Sequence, residues 1–178
     1  MHQVPVLTTA RLRLRAHRMD DFTGVHGLWS DPSVVRHISA KPSTPAQSWS
    51  RLLRYAGHWA LLGFGYWVVE DRQTSRFIGE VGLADYHREI EPSFEGKPEA
   101  GWVMAPDAQG RGLAREAVRA VLAWADANIA AERTVCMIAP EHTASRRLAS
   151  AVGFQESGVA LYAGSEVVIY ERPRSTKS

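Results

Sequence analysis

Residues 109–114, Gln-Gly-Arg-Gly-Leu-Ala, combine small residues with a position suited to binding an anion. They separate an apolar, strand-like run, Gly101-Trp102-Val103-Met104, from a stretch free of Gly and Pro. In that stretch Val118, Val121, Leu122, Ala125 and Ile129 recur at helical spacing. The first N–H groups of a helix have no intrahelical partner and point at whatever lies beyond the helix start. Gly110 and Gly112 carry no Cβ to hold a ligand away from that backbone. The expectation is a pyrophosphate cradle formed by Gln109, Gly110, Arg111, Gly112, Leu113, Ala114 and Arg115. An ordinary left-handed turn before a helix would have the same composition. A P-loop is excluded, because no Gly-Lys-Ser/Thr occurs. A dinucleotide fingerprint fits badly, because Arg115 stands where its third glycine belongs.

Other elements must position that junction. Arg11 to Ala16 alternates Arg and Leu, a period-2 strand with one wet face. Asp20 or Asp21 is placed to cap a helix carrying Phe22, Val25, Leu28 and Trp29. After breaks at Pro32, Pro42 and Pro45, a stripe of Trp49, Leu52, Leu53, Ala56, Trp59 and Ala60 marks a helix from Ala46 to about Leu62. Residues 66–70 and 77–84 read as a hairpin around the polar turn 71–75, residues 87–98 as a loop, and 99–104 as the next strand. Thr134 to Ala139 reads as a buried strand, and Thr143 to Val152 as a short helix stopped by Gly153. Residues 159–162 and 167–170 form a last hairpin. There is no repeat and no linker, so residues 1–178 are read as one α/β (α+β) domain with a core of about 7–173.

The pattern Gln-x-x-Gly-x-Ala, after a strand ending near Pro106, resembles the acetyl-CoA signature of the GNAT superfamily of N-acyltransferases. Residues 140–148, Pro-Glu-His-Thr-Ala-Ser-Arg-Arg-Leu, followed by Val152-Gly153-Phe154, resemble that family's later motif. The opening 7–15, Leu-Thr-Thr-Ala-Arg-Leu-Arg-Leu-Arg, with Asp20-Asp21, Trp29-Ser30-Asp31-Pro32 and Glu99-Ala100-Gly101-Trp102, resembles the ribosomal-protein-alanine acetyltransferase branch. The resemblance runs from about Leu7 to Pro173. It implies a GNAT-like domain with a central mixed, mostly antiparallel, twisted sheet, splayed at the cofactor-binding strand, and helices on both faces. The strand before the phosphate loop is expected to carry a bulge and to part from its neighbour. Backbone at Trp102, Val103 and Met104 would then pair with the pantetheine amides of acetyl-CoA like an added strand, one N–H facing the thioester oxygen.

By the same resemblance, the reaction is acetyl transfer to a primary amine of a small molecule or protein N-terminus, by direct attack in a ternary complex. An alkyl amine is protonated near pH 7, so a proton acceptor is needed, directly or through water. Glu99 matches the glutamate of the family's Glu-x-Gly-aromatic block and is the first candidate. Glu80, between the strand glycines Gly79 and Gly82, is the second. His87 titrates in the useful range but belongs to a polar loop. Many GNAT enzymes protonate the departing thiolate with a tyrosine, and here that position is Ala149. Ser145 is the alternative donor, unless its hydroxyl bonds its own helix backbone. His142 replaces the usual asparagine, so its pantetheine contact is partial at best, and it is also placed to relay a proton. Those two departures keep a second reading open, a non-catalytic acyl-CoA-binding or scaffold member of the same fold.

Composition narrows the classes further. Lys+Arg 21 against Asp+Glu 19 leaves +2, too balanced for a nucleic-acid platform. The single cysteine, Cys136, excludes an internal disulfide framework, suits a reducing cytoplasm and reads as a packed strand thiol rather than a nucleophile. No apolar stretch approaches 18 residues, so no membrane partner is expected, and no metal is expected. Glu89, Glu91, Glu95 and Glu99 would suit a cationic acceptor, or simply a solvated loop. Phe22, Trp29, Trp49 and Trp59 lie on helices that normally wall the acceptor cleft in this family. Many members dimerise, so a homodimer is among the expectations.

Overall fold

The computed structural model describes residues 3–175. Eight strands form one open sheet: β1 (Leu7–Thr8), β2 (Leu12–Arg15), β3 (Tyr66–Asp71), β4 (Phe77–Ala84), β5 (Glu99–Met104), β6 (Arg133–Ile138), β7 (Gln155–Tyr162) and β8 (Ser165–Pro173). Their spatial order is β1-β2-β3-β4-β5-β6-β8-β7. Every neighbouring pair is antiparallel except β5 and β6. The helices are α1 (Phe22–Ser30), α2 (Pro32–Val35), α3 (Pro45–Leu62), α4 (Leu113–Asn128) and α5 (Thr143–Ala151). This is the single, mostly antiparallel α/β arrangement that the resemblance implies, and among the described residues no helix is long and apolar enough to cross a membrane.

The helices cover both faces of the sheet, each through an apolar stripe. On one face α4 buries Leu113, Ala117, Val118, Val121, Leu122 and Ala125 against Leu12, Leu14, Trp67, Val69 and Val81. On the other, Val25, Leu28 and Trp29 of α1, Val34 and Val35 of α2 and Leu52 of α3 pack with Val103. α3 starts where Thr44 and Gln47 satisfy each other's backbone N–H groups, with Pro45 in its first turn, and ends at left-handed Gly63. These local signals fix its position over the sheet.

Three details depart from expectation. Asp21 does not cap α1 through its side chain. Its carboxylate is gripped by Arg15 at 2.7 Å and by the Arg18 N–H at 2.6 Å, because a buried guanidinium needs that charge more than a helix start does. The last hairpin is longer on both arms, since β8 pairs with β6 as well as β7. The strand before the phosphate loop carries no bulge: β5 and β4 keep unbroken register from Glu99↔Ala84 to Met104↔Gly79. β5 parts from β6 without one, touching it only at Glu99↔Val135.

Candidate active site

The β5–α4 junction has the backbone its sequence demands. Gly110 and Gly112 both take positive φ, 70° and 74°, and Gly112 is the residue before the first helical turn. No side-chain oxygen caps α4, and the first helix N–H to find a carbonyl is that of Glu116, on Gly112. The start of this 16-residue helix therefore has no side-chain cap, and the acidic residue of its first turn, Glu116, is taken up by Thr9 and Arg11. Leu113 is buried and anchors the turn, while Arg111 and Arg115 are exposed beside it. Gln109 departs from its expected role, since its amide donates to the Met104 carbonyl at 3.0 Å and ties the loop to β5. A brace that sequence reasoning missed holds the junction from behind. Glu116 accepts from Thr9 Oγ1 at 2.6 Å and pairs with Arg11 at 2.7 Å, and Arg11 also donates to the Arg111 carbonyl. Burial opposes ionisation of Glu116, but these bonds outweigh it and hold its carboxyl below the usual range.

Since β5 leaves β6 after one residue pair, backbone at 101–104 has no strand on that side. A Cβ at Gly101 would fall 1.9 Å from the Tyr66 hydroxyl, so only glycine fits there. Val103 and Met104 are buried, and Trp102 is half-buried. The Trp102 indole, which the sequence offered as either core or cleft, donates to Ser145 Oγ at 3.2 Å. Ser145 Oγ also lies 2.9 Å from Nε2 of His142, the residue that begins its own helix, so its hydroxyl is engaged by two side chains rather than by helix backbone. The rings of His142 and His37 are 5.0 Å apart. Burial, and then the neighbouring His37, push the His142 pKa down from its ordinary value. Ala149, at the absent-tyrosine position, is fully buried.

The carboxylates divide sharply. Glu99 lies on the cleft wall, but both its oxygens are held by one Arg88 fork at 2.5 and 2.9 Å. Arg88 also donates to the Tyr162 hydroxyl. Glu80 is completely buried, bonded at 2.6 Å to the Trp29 indole and at 2.7 Å to His17, and does not line the cleft. A proton acceptor sealed in this way cannot reach a substrate. Glu89, Glu91 and Glu95 are exposed on their loop, and of the four acidic residues only Glu99 faces the main cleft. His87 is 91% exposed. Of the four aromatic residues expected on the acceptor wall, only Trp29 lines it, while Trp59 packs in the core against Trp67 and Trp124.

These groups surround one cleft of about 980 Å³ between α2, α3, β5, β6 and the last hairpin. It brings together Glu99, Trp102, Val103, His142 and Ser145. Cys136 borders it but is nearly inaccessible, and burial raises its thiol pKa far above the normal range. Among the described residues, no group of three or more His, Cys, Asp or Glu is placed to hold a metal ion.

Comparison with known proteins agrees with this geometry. The model of the acetyltransferase (GNAT) domain matches residues 11–155. A GNAT-family acetyltransferase from Bordetella pertussis superposes with a TM-score of 0.83 at 32% identity, covering 94% of this chain and 99% of that one. A Bacillus licheniformis protein named N-acetyltransferase p20 is 25% identical over 86% of this chain and 84% of its own. The fold is also shared with the ribosomal L7/L12 α-N-protein acetyltransferase RimL, solved in complex with coenzyme A, at a TM-score of 0.77 and 15% identity over 95% and 98% of the two chains. The chain belongs to the GNAT acetyltransferase family.

Proposed function

We propose that this protein transfers an acetyl group from acetyl-CoA to a primary amine held in the 980 Å³ cleft. The observation that carries the reading is the pairing of two free backbone stretches, the β5 edge that has no strand beside it after Glu99 and the uncapped start of α4. Residues 110–115 would hold the pyrophosphate there, and the β5 edge the pantetheine amides. Two features fit such a ligand: positive-φ glycines with no Cβ in the way, and an uncapped helix dipole. Acetyl-CoA, when bound, supplies a thioester-activated acetyl group and a thiol leaving group.

The chain's own residues supply the rest. A β5 N–H beside Trp102 and Val103 would hold a carbonyl oxygen as negative charge develops. Ser145 gives its hydroxyl proton to the departing sulfur. The Trp102 indole can only donate, so it fixes Ser145 Oγ as an acceptor and leaves the hydroxyl proton free to move. Neutral His142, kept so by burial and His37, borders Ser145 and relays a proton to it, giving one from Nε2 as Nδ1 takes one from solvent. Glu99 uses one lone pair of each oxygen on Arg88, and a carboxylate has about four acceptor positions. Its remaining lone pairs hold a water that takes the amine proton to solvent, which makes Glu99 a water-positioner. Proton uptake by Glu99 itself would break the Arg88 fork. Glu80 acts only from behind the wall.

The test is to follow thiol release with purified protein, acetyl-CoA and a panel of amines. Acetylation of at least one class of amine is expected, with sequential kinetics. Coenzyme A binding without any acetylated amine would instead support the acyl-CoA-binding reading.

A further inference from the structure

We propose that the acceptor amine carries a carboxylate, and that Arg51 and Arg54 of α3 bind it. This rests on the acetyltransferase reading and specifies its substrate class. Four arginines border the cleft: Arg36, Arg51, Arg54 and Arg88. Arg88 is consumed by Glu99. Among the described residues, the other three form no ion pair with any carboxylate. The acidic residues of the rim, Glu141 and Glu166, are exposed and form none either. Arg36 and Arg54 are exposed, but Arg51 is half-buried, and an unmatched guanidinium there is costly unless a ligand brings the compensating charge.

The two α3 arginines are also held in place. Arg51 lies 3.5 Å above the centre of the Trp29 ring, and its Nε is buried with no hydrogen-bond partner. Trp29 is fixed in turn by its 2.6 Å bond to buried Glu80. Glu80 thus becomes a positioning residue, acting through Trp29 on Arg51. Arg54 lies 5.2 Å from the Tyr86 ring centre, and Arg88 lies 4.5 Å from the same ring, so both guanidinium groups stack on Tyr86. Stacking on a ring face leaves the N–H edges of a guanidinium available, and those edges match the two oxygens of a carboxylate. Because both groups are already immobilised, little side-chain entropy is lost on binding. A polycationic acceptor would meet the unpaired Arg51 and Arg54 at this end of the cleft and be disfavoured there.

The experiment measures kcat/KM for matched amines: glycine against glycinamide, aspartate α-amide against asparagine α-amide, aminomethylphosphonate, and spermidine. Each carboxylate member should exceed its amide by about 10–100-fold, the range of one or two charge-assisted hydrogen bonds. Arg54→Met, at an exposed position, should collapse that ratio toward one, and Arg51→Met should do the same in protein shown by melting to be folded. Equal rates for acid and amide, a preference for spermidine, or a ratio that survives both substitutions would overturn the assignment. A phosphonate preferred over carboxylates would overturn it in favour of a phosphate-type anion. Absence of thiol release with every amine would overturn the enzymatic reading as well, and that result is distinct from the others.

Discussion

Replacing Gly112 with alanine separates the cost of backbone strain from the cost of blocking a ligand. The residue sits at φ 74°, and the nearest heavy atom to an added Cβ is Arg11 Nη2 at 3.7 Å, an ordinary contact. The protein therefore feels only the left-handed conformation, worth about 1–2 kcal/mol for a residue with a Cβ. For a chain of this length that lowers Tm by roughly 2–8 °C. The bound anion is affected differently, because the new methyl stands where the helix-start amides must meet a phosphate. Losing one charge-assisted bond there costs about 1.5–3 kcal/mol, or about 10–150-fold in Kd for coenzyme A. Gly96→Ala is the control: φ is 71°, nothing lies within 4 Å of its Cβ, and it is remote from the junction, so strain should appear without loss of affinity. The measurements are a melting curve and a calorimetric titration with coenzyme A for each variant. Gly112→Ala protein that melts in the expected range yet binds coenzyme A like the parent would refute the placement of the pyrophosphate.

Ser145→Ala should lower kcat by about 100-fold or more while coenzyme A affinity stays within a few-fold, checked by steady-state kinetics and titration. An unchanged kcat removes Ser145 from the proton path. His142 is depressed by burial and His37, so its neutral form holds above its ordinary value of 6.5 and is lost only as pH falls through the lower folded value. The acidic limb of kcat that depends on His142 should lie below pH 6.5 and vanish in His142→Ala. Asp21→Asn should cost about 1.5–3 kcal/mol at pH 7, because it removes the charge-assisted bonds to buried Arg15 while the Arg15–Glu70 pair remains. Although burial raises the Asp21 pKa, Arg15 and the Arg18 N–H outweigh it, so the net shift is downward. That stability is complete above the unfolded value of 3.8 and is lost as pH falls through the lower folded value, a dependence that urea titrations should find weakened in the variant. Cys136, inaccessible and with a raised pKa, should resist thiol reagents in native protein at pH 8 and label fully in denaturant.

The parts legible in the sequence were those with local causes. Helical spacing located α3 and α4, and two glycines marked the turn before an uncapped helix, because each signal is carried by residues a few positions apart. The interactions that shape the site span the chain. Trp102 meets Ser145 across 43 positions, and Arg11 meets Glu116 across 105, so no spacing rule reaches them. Charge was ambiguous in the sequence for the same reason. The acidic cluster 89–95 suited either a cationic acceptor or a solvated loop, and the fold exposes those side chains to solvent. Arg51 and Arg54, three apart on a helix, look like ordinary surface until the fold lays them over the rings of Trp29 and Tyr86. Glu80 was noticeable as a charge between apolar strand residues, but its partners Trp29 and His17 lie 51 and 63 positions away.

A crystal structure with coenzyme A tests the central claim most directly. The account predicts the diphosphate on the amides of residues 110–115, pantetheine along the free edge of β5, and sulfur within hydrogen-bond reach of Ser145 Oγ. Coenzyme A seated elsewhere, or its sulfur pointing away from Ser145, would contradict it.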